Sequence, residues 1–373
     1  MKKLSVIGAG SAGLLSAVQG YYAFVNMPDW EVELIHDPNV PPEKVGQGTV
    51  PGIMNLLSVV FDVDWADNPF EATIKHGIMY KNWGKKKDKF FHPFGMGYSA
   101  AHYDVNKFRE FILSSNKFKV IEKNIKDYSD VDSDYIIDCS GKPTSFDNYT
   151  TLTNPINSVL LGRSEKEDDL HWTDCVATPD GWCFRIPNVD SVSHGYLFNK
   201  DITTVEQARE NFRDIFGIDS TDNLNFSNYI SNQFMIDDRI FLNGNKLMFI
   251  EPLEANSNPA YVHATSTYLS YLKGSLSKKY IHGEIYSYVL KIQNYLLWLY
   301  QAGSKYNTPF WDYATSLKFE DNLFDALVSM CSNRSMESIW SLMDEQSVPD
   351  HYGQWDLSSI KNCQRKCYCV LIW

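Results

Sequence analysis

No uninterrupted apolar run in this 373-residue sequence reaches the roughly 18 residues that a membrane span needs. The apolar stretch in "MKKLSVIGAGSAGLLSA" is short and broken by three glycines, which argues against a cleaved signal peptide. Positive charge is scarce as well. Against 46 Asp and Glu stand 34 Lys and Arg, a formal net charge of −12, whereas a nucleic-acid surface needs concentrated cations. The one basic run, Lys85-Lys86-Lys87 with Lys89, reads as a solvated loop. Cysteine is sparse: of seven, only Cys363, Cys367 and Cys369 cluster, and no fourth ligand follows at a zinc spacing. Reduced thiols and no metal are expected, in a soluble cytoplasmic protein that binds neither membrane nor nucleic acid. Repeats and low-complexity linkers are absent too. What the chain does have is apolar and aromatic mass, 44% and 14% of its residues. That is enough for one elaborated enzyme-sized body or two interleaved domains.

Leu4 to Ile7 reads as a buried strand that runs straight into Gly8-Ala9-Gly10-Ser11-Ala12-Gly13 and then into a helical pattern through Ala17, Val18 and Tyr22. Strand, Gly-x-Gly-x-x-Gly and helix in that order form a dinucleotide-binding fingerprint. Gly8 permits a tight turn, Gly10 lets backbone approach a pyrophosphate, Gly13 lets helix pack on strand, and the helix N-terminus supplies partial positive charge. A second strand, Val32 to Ile35, should end in an acid for the adenosine ribose. Asp37 is one residue late and His36 takes the usual place, so either is a candidate. A later strand, Tyr135 to Ile137, runs into Asp138-Cys139-Ser140-Gly141, a pattern that closes the FAD side of the sheet in two-domain flavoproteins. Between the two lies a long aromatic-rich insertion, residues 45 to 103, which a nicotinamide dehydrogenase would not carry.

Two further stretches stand out. In "PDGWCFRIPN", Trp182 and Phe184 alternate before Ile186-Pro187, as side chains sharing one face of a strand do. Taken alone, an ordinary core strand would explain them. In "FEATIKHGIMYKNW", Lys75 interrupts an apolar strand-like run, so its ammonium must snorkel to water or face a polar cavity.

Together with "KVGQGTVPGIMNLL" and "RIFLNGNKLMFIEPLEANSNPAY", these stretches resemble the flavin-dependent halogenases of the tryptophan halogenase family. That family carries a Gly-x-Gly-x-x-Gly start, a Gly-Glu-x-Thr-x-Pro segment, a lysine in an Ala-Thr-x-Lys-x-Gly-Ile context, a Trp-x-Trp-x-Ile-Pro element and a Phe-x-Glu-Pro-Leu-Glu segment. Here they stand in that order at Gly8 to Gly13, Gly46 to Pro51, Ala72 to Ile78, Trp182 to Pro187 and Phe249 to Glu254, and "TPFW" at Thr308 to Trp311 resembles the family's helical tail.

The resemblance implies that reduced FAD, O2 and halide give hypohalous acid, which Lys75 delivers to an electron-rich aromatic substrate of indole, pyrrole or phenol type. The lysine would either hydrogen-bond the oxidant or form a haloamine. Glu254 would polarise the oxidant or take the arenium proton, with Glu251 as the competing carboxylate; Pro252 between them argues for a loop. Besides Gly8, Gly10, Ser11, Ala12, Gly13, His36 and Asp37, the implied flavin contacts are Gln47, Gly48, Thr49, Asn245 and Asn258. Trp182, Phe184 and Pro187 would form a flavin-side aromatic wall. Backbone amides of Asn256 and Ser257 would hold halide, whether bromide, iodide or chloride. Two departures matter: Gln47 replaces the family's glutamate, and Ala255-Asn256-Ser257 replaces its Ser-Thr-Gly.

The expected fold is α/β: a Rossmann-type, glutathione-reductase-like FAD-binding core with an inserted substrate-side β-sheet and a helical C-terminal region. Residues 1–150 and 236–262 are assigned to the core, 151–235 to the sheet with a flanking helix near Val205 to Phe216, and 263–373 to a helical substrate cover. A separate flavin reductase is the implied partner, and the apolar tail "CQRKCYCVLIW" leaves room for a homo-oligomer. A flavin-dependent monooxygenase and a non-catalytic FAD-binding module are the alternatives.

Overall fold

A computed structural model describes residues 1–42, 47–85, 87–94, 98–166 and 169–319, with the backbone of 351–352 and 355–356. Gly46, the amphipathic pattern at 321–330 and the tail at 363–373 lie outside the described residues. The chain divides into two compact units, one of residues 1–73, 100–152 and 228–287, the other of 74–99, 153–227 and 288–373. Packing thus groups 74–99 with 153–227, two stretches that the sequence assigns to different parts.

The first unit is built on a six-stranded sheet. Five of its strands, Lys119–Glu122, Trp30–His36, Lys2–Ile7, Tyr135–Asp138 and Ile240–Leu242, run parallel in that spatial order, and Met235–Ile236 adds an antiparallel edge. The central strands are near-continuous apolar runs, as a parallel sheet covered on both faces requires: Leu4, Val6, Leu34, Ile136 and Ile137 have no solvent exposure. Ser5 and Glu33 are polar exceptions within these runs, joined by a 2.6 Å hydrogen bond from the hydroxyl to the carboxylate. The helix after the first strand, Ser11–Phe24, lies against Ser257–Leu272. Small polar groups make that seam: Ser16 and Thr265 hydroxyls meet at 2.8 Å, and Asn243 donates to the Thr265 hydroxyl and the Tyr261 carbonyl. The expected Rossmann-type α/β core is present.

The second unit centres on a seven-stranded sheet, in the order Asp222–Asn225, Ser158–Glu165, Ser191–Phe198, Gly181–Pro187, Thr173–Thr178, Gly77–Lys81, Lys89–Pro93. Because directly opposed residues share a face, the register sorts this sheet into two sides. Cys183 opposes Val176 and Tyr196, and this side carries the helix Val205–Phe216 through Ala208 and Phe212. That helix is sharply bounded. Thr204 and Gln207 form a capping box, and Gly217 closes the other end in the left-handed conformation. Trp182 and Phe184 face the opposite side. Phe184 opposes Gly195, where any Cβ would lie 2.2 Å from its ring, so the missing side chain makes room for the phenyl group. Pro187 ends its strand opposite Val192, and Asn188 and Ser191 close the turn, so proline costs the ladder little.

One buried titratable group in this sheet sets a pH dependence. His194, opposite Arg185, is buried, with Nε2 3.0 Å from the Ser164 hydroxyl. Burial first, and the Arg185 charge second, push its pKa down to about 4. In the unfolded chain a histidine titrates near 6.5, so the stability gained by keeping His194 neutral is complete above that pH. It is lost as pH falls toward about 4, because the unfolded state then binds the proton that the folded state refuses. In urea unfolding, the stability lost between pH 6.5 and pH 4 is predicted to be smaller in His194→Gln than in the wild type, by roughly 2–3 kcal/mol. Identical pH profiles would contradict this.

Candidate functional site

The glycine fingerprint forms a cradle with no room for side chains. Gly8 has φ of 102° and a Cβ there would sit 2.4 Å from the Cys139 carbonyl oxygen; a Cβ on Gly13 would sit 1.9 Å from the Gly8 carbonyl oxygen. Gly10 takes the N-cap position of Ser11–Phe24 in extended conformation, and no side chain caps that helix. Its first-turn amides therefore remain available to an anion. Ser11 adds a hydroxyl that is buried yet has no hydrogen-bond partner among the described residues. Such an orphaned donor at a helix N-terminus fits a phosphate-bearing cofactor. A Cβ on Gly244 would sit 2.8 Å from the Ala12 Cβ, so the glycine allows a close approach that brings Asn245 to the same end of the sheet. The Asn245 amide oxygen accepts from the Tyr261 hydroxyl at 2.8 Å.

At the end of the second strand the two candidates separate. Asp37 accepts from the backbone and side-chain nitrogens of Asn39, both at 2.9 Å and both through Oδ1, so one oxygen of its carboxylate is engaged in a local turn. His36 is buried, with Nδ1 3.3 Å from an Arg109 guanidinium nitrogen. Arg109 also donates to the Val40 carbonyl at 2.7 Å. Nothing in the local pattern around the helix Val105–Ser114 points to that arginine. Asp138, which closes the sheet, is buried and accepts from the Tyr128 hydroxyl at 2.6 Å and the Ser140 amide at 2.8 Å.

Gln47 and Gly48 pair with Tyr103 and His102, and Thr49 exchanges hydrogen bonds with the Ala101 backbone. Asn258 donates to the Tyr103 hydroxyl at 3.4 Å, so Gln47 and Asn258 meet through one tyrosine. Just before Asn258 the backbone is strained. Glu254 and Ala255 both take left-handed φ, 66° and 54°. The expected loop at Pro252 is therefore a tight turn, fixed by Ala255 donating to the Pro252 carbonyl and Ser257 to that of Ile250. Asn256 then opens the helix Ser257–Leu272 without capping it by its side chain. Asn256 is wholly buried, and its Oδ1 has no partner among the described residues. Glu251 and Glu254 are both 1% exposed. Neither is a solvated loop carboxylate, and burial alone does not choose between them.

In the second unit Lys75 has no solvent exposure at all, and its Nζ lies 5.4 Å from the centroid of the Phe94 ring. Trp182 is likewise buried, donating from Nε1 to the Tyr300 hydroxyl at 2.7 Å. Trp83, Tyr300 and Trp311 complete the cluster, with Trp311 donating to the Thr178 carbonyl. Trp182 and Phe184 are thus core residues of a packed aromatic body, in which the indole N–H groups of Trp182 and Trp311 have each found an oxygen. Phe94 and Trp83 belong to the aromatic-rich insertion, whose composition was the only signal for them.

Comparison with known proteins bears on the family and the fold. A family model described as tryptophan halogenase matches residues 3–129 and 115–349. The tryptophan 7-halogenase KtzQ of Kutzneria sp. (strain 744) is 20% identical over 365 residues, which cover 68% of this chain and 67% of that protein. Among solved structures, Xcc4156, a flavin-dependent halogenase from Xanthomonas campestris, superposes with a TM-score of 0.83 at 15% identity, covering 99% of this chain and 89% of that one. A tryptophan 6-halogenase from Streptomyces toxytricini gives 0.79 at 16% identity, covering 99% and 91%.

The cradle generates a paired prediction. In Gly10→Val, a side chain enters the space a pyrophosphate needs, and FAD affinity by titration calorimetry should fall at least about tenfold with the flavin-free unfolding midpoint unchanged. In Gly13→Ala the collision is with backbone, so the flavin-free protein itself should be destabilised. Undiminished FAD binding by Gly10→Val would overturn the assignment.

Proposed function

Since the chain belongs to the tryptophan halogenase family, a family of flavin-dependent enzymes, we propose that it halogenates an electron-rich aromatic substrate of indole, pyrrole or phenol type. The observation that carries this reading is the complete burial of Lys75. Lysine is almost never fully buried without a reason, because its ammonium loses hydration worth several kcal/mol. A family context in which chemistry passes through a lysine supplies the reason.

Bound reduced FAD supplies two electrons, so that O2, halide and a proton give hypohalous acid and water. The protein's own groups do the rest. The cradle at Gly8 to Gly13, with Ser11, would hold the pyrophosphate, and His36 with Arg109, or Asp37 through the oxygen that Asn39 does not engage, would stand at the adenosine ribose. Gln47, Gly48, Thr49, Asn245 and Asn258 would line the flavin. Amides of Asn256 and Ser257, at the start of a 16-residue helix, would hold halide. Where the family's Ser-Thr-Gly ends in glycine, this chain has Ser257, and the added side chain favours bromide or iodide, the more weakly hydrated and more readily oxidised ions, over chloride. The Lys75 ammonium would polarise the hypohalous acid by donating a hydrogen bond to its oxygen, or its amine would carry the halogen. Attack by the aromatic carbon releases a proton to a buried carboxylate, Glu254 or Glu251. A separate flavin reductase would supply the reduced FAD.

Lys75→Ala tests this directly. Incubated with FAD, a reductase, halide and an aromatic panel, the variant should lose about 10²- to 10⁴-fold in product formation. Oxidation of reduced flavin should continue, with hypohalous acid appearing in a bulk scavenger. Regioselective halogenation at the wild-type rate by this variant would sink the role of Lys75.

A further inference from the structure

Three tyrosine hydroxyls converge on the short turn Gly244–Lys246, which follows the strand Ile240–Leu242 in the first unit. Tyr229 donates to the Asn245 carbonyl at 2.8 Å, Tyr149 to the Lys246 carbonyl at 2.6 Å, and Tyr261 to the Asn245 side-chain oxygen at 2.8 Å. Tyr261 holds the turn a second time, because its own carbonyl accepts from Asn243 Nδ2 at 3.0 Å. Between these anchors Gly244 takes the left-handed conformation, with φ of 59°, and a Cβ there would sit 2.8 Å from the Ala12 Cβ in the first turn of the helix Ser11–Phe24. The turn is thereby set against the helix start whose first amides are available to an anion.

A planar carboxamide has two unlike ends, so an oxygen that accepts from Tyr261 leaves the NH2 group to point elsewhere. Asn245 is half-buried, and its Nδ2 donates to no other described residue. A phenol donates more readily than it accepts, because the lone pair on its oxygen is drawn into the ring, and the hydrogen bond therefore selects one orientation of the amide. We propose that Tyr261 is a positioning residue that turns the Asn245 amide so that its N–H donors face the cofactor, where they hold a phosphate oxygen of the FAD pyrophosphate. Without the tyrosine hydroxyl the carboxamide is free to flip, and its carbonyl end then repels the same anion. The inference rests on the FAD reading above and names the group that Asn245 takes.

Calorimetric titration of the flavin-free, full-length protein with FAD, and with ADP-ribose, which keeps the pyrophosphate and lacks the flavin, gives the test. Asn245→Asp preserves the shape and the acceptor for Tyr261 but puts an anionic oxygen where Nδ2 stood. Affinity for both ligands is expected to fall about 30-fold or more in that variant, and roughly tenfold in Asn245→Ala, which only removes the donor. Tyr261→Phe should weaken both ligands about threefold to tenfold in the wild-type background and less than about twofold in the Asn245→Ala background, since it acts through that amide alone. A merely structural tyrosine would weaken binding equally in both backgrounds, and that result overturns the positioning role. Should Tyr261→Phe fail to fold, the Asn245 variants decide the matter. Wild-type FAD affinity in Asn245→Asp, or a loss confined to FAD with ADP-ribose unaffected, overturns the assignment. Gly10→Val separates it from the cofactor reading: if that variant loses FAD affinity and the Asn245 variants do not, the cofactor site stands and the role of Asn245 falls, whereas undiminished binding by all of them overturns both.

Discussion

The desolvation of one ammonium group is the constraint on which the functional account depends. A lysine at zero exposure gives up hydration that the fold must replace with hydrogen bonds, charge or an aromatic face. Here an aromatic face is in place, and the strands on either side are locked by main-chain hydrogen bonds and by a glycine that admits close approach. The surrounding aromatic body serves the same end. Trp182, Trp83, Tyr300 and Trp311 pack their rings together, and the indole N–H groups of Trp182 and Trp311 find oxygens of Tyr300 and Thr178, whereas that of Trp83 is buried with no hydrogen-bond partner among the described residues.

A second kind of stored cost appears at Glu254 and Ala255. Two successive non-glycine residues in left-handed conformation cost on the order of 1–3 kcal/mol each, and alanine has no side chain with which to offset it. The strain is held by short-range hydrogen bonds, from Ala255 to Pro252 and from Ser257 to Ile250. It delivers a buried carboxylate and then an uncapped helix start within three residues.

How much of this was legible in the sequence depends on distance along the chain. The fingerprint at Gly8 to Gly13 is local, and its steric logic follows from residue order; the collisions that side chains would meet at Gly8 and Gly13 agree with it. The helix at Val205 to Phe216 was equally plain, because a capping box and a terminal glycine bound one amphipathic stretch. The alternation of Trp182 and Phe184 announced a strand but could not say what covers it, since Tyr300 and Trp311 lie more than a hundred residues on. The same limit hid Arg109, 73 residues from His36. His36 and Asp37 stood as equal candidates for the ribose, and residue order does not show that Asn39 engages one oxygen of the Asp37 carboxylate. Burial of both Glu251 and Glu254 was unreadable because a loop carries no periodicity from which to infer it.

The central claim is that reduced flavin chemistry here ends in a carbon–halogen bond. Mass spectrometry of an indole, pyrrole and phenol panel, incubated with the protein, FAD, an external flavin reductase, O2 and equal chloride, bromide and iodide, tests it most directly. The account predicts halogenated products that vanish when halide, O2 or the reductase is omitted, with brominated or iodinated species exceeding chlorinated ones. Hydroxylated products that form equally well without halide would contradict it and show a monooxygenase in its place.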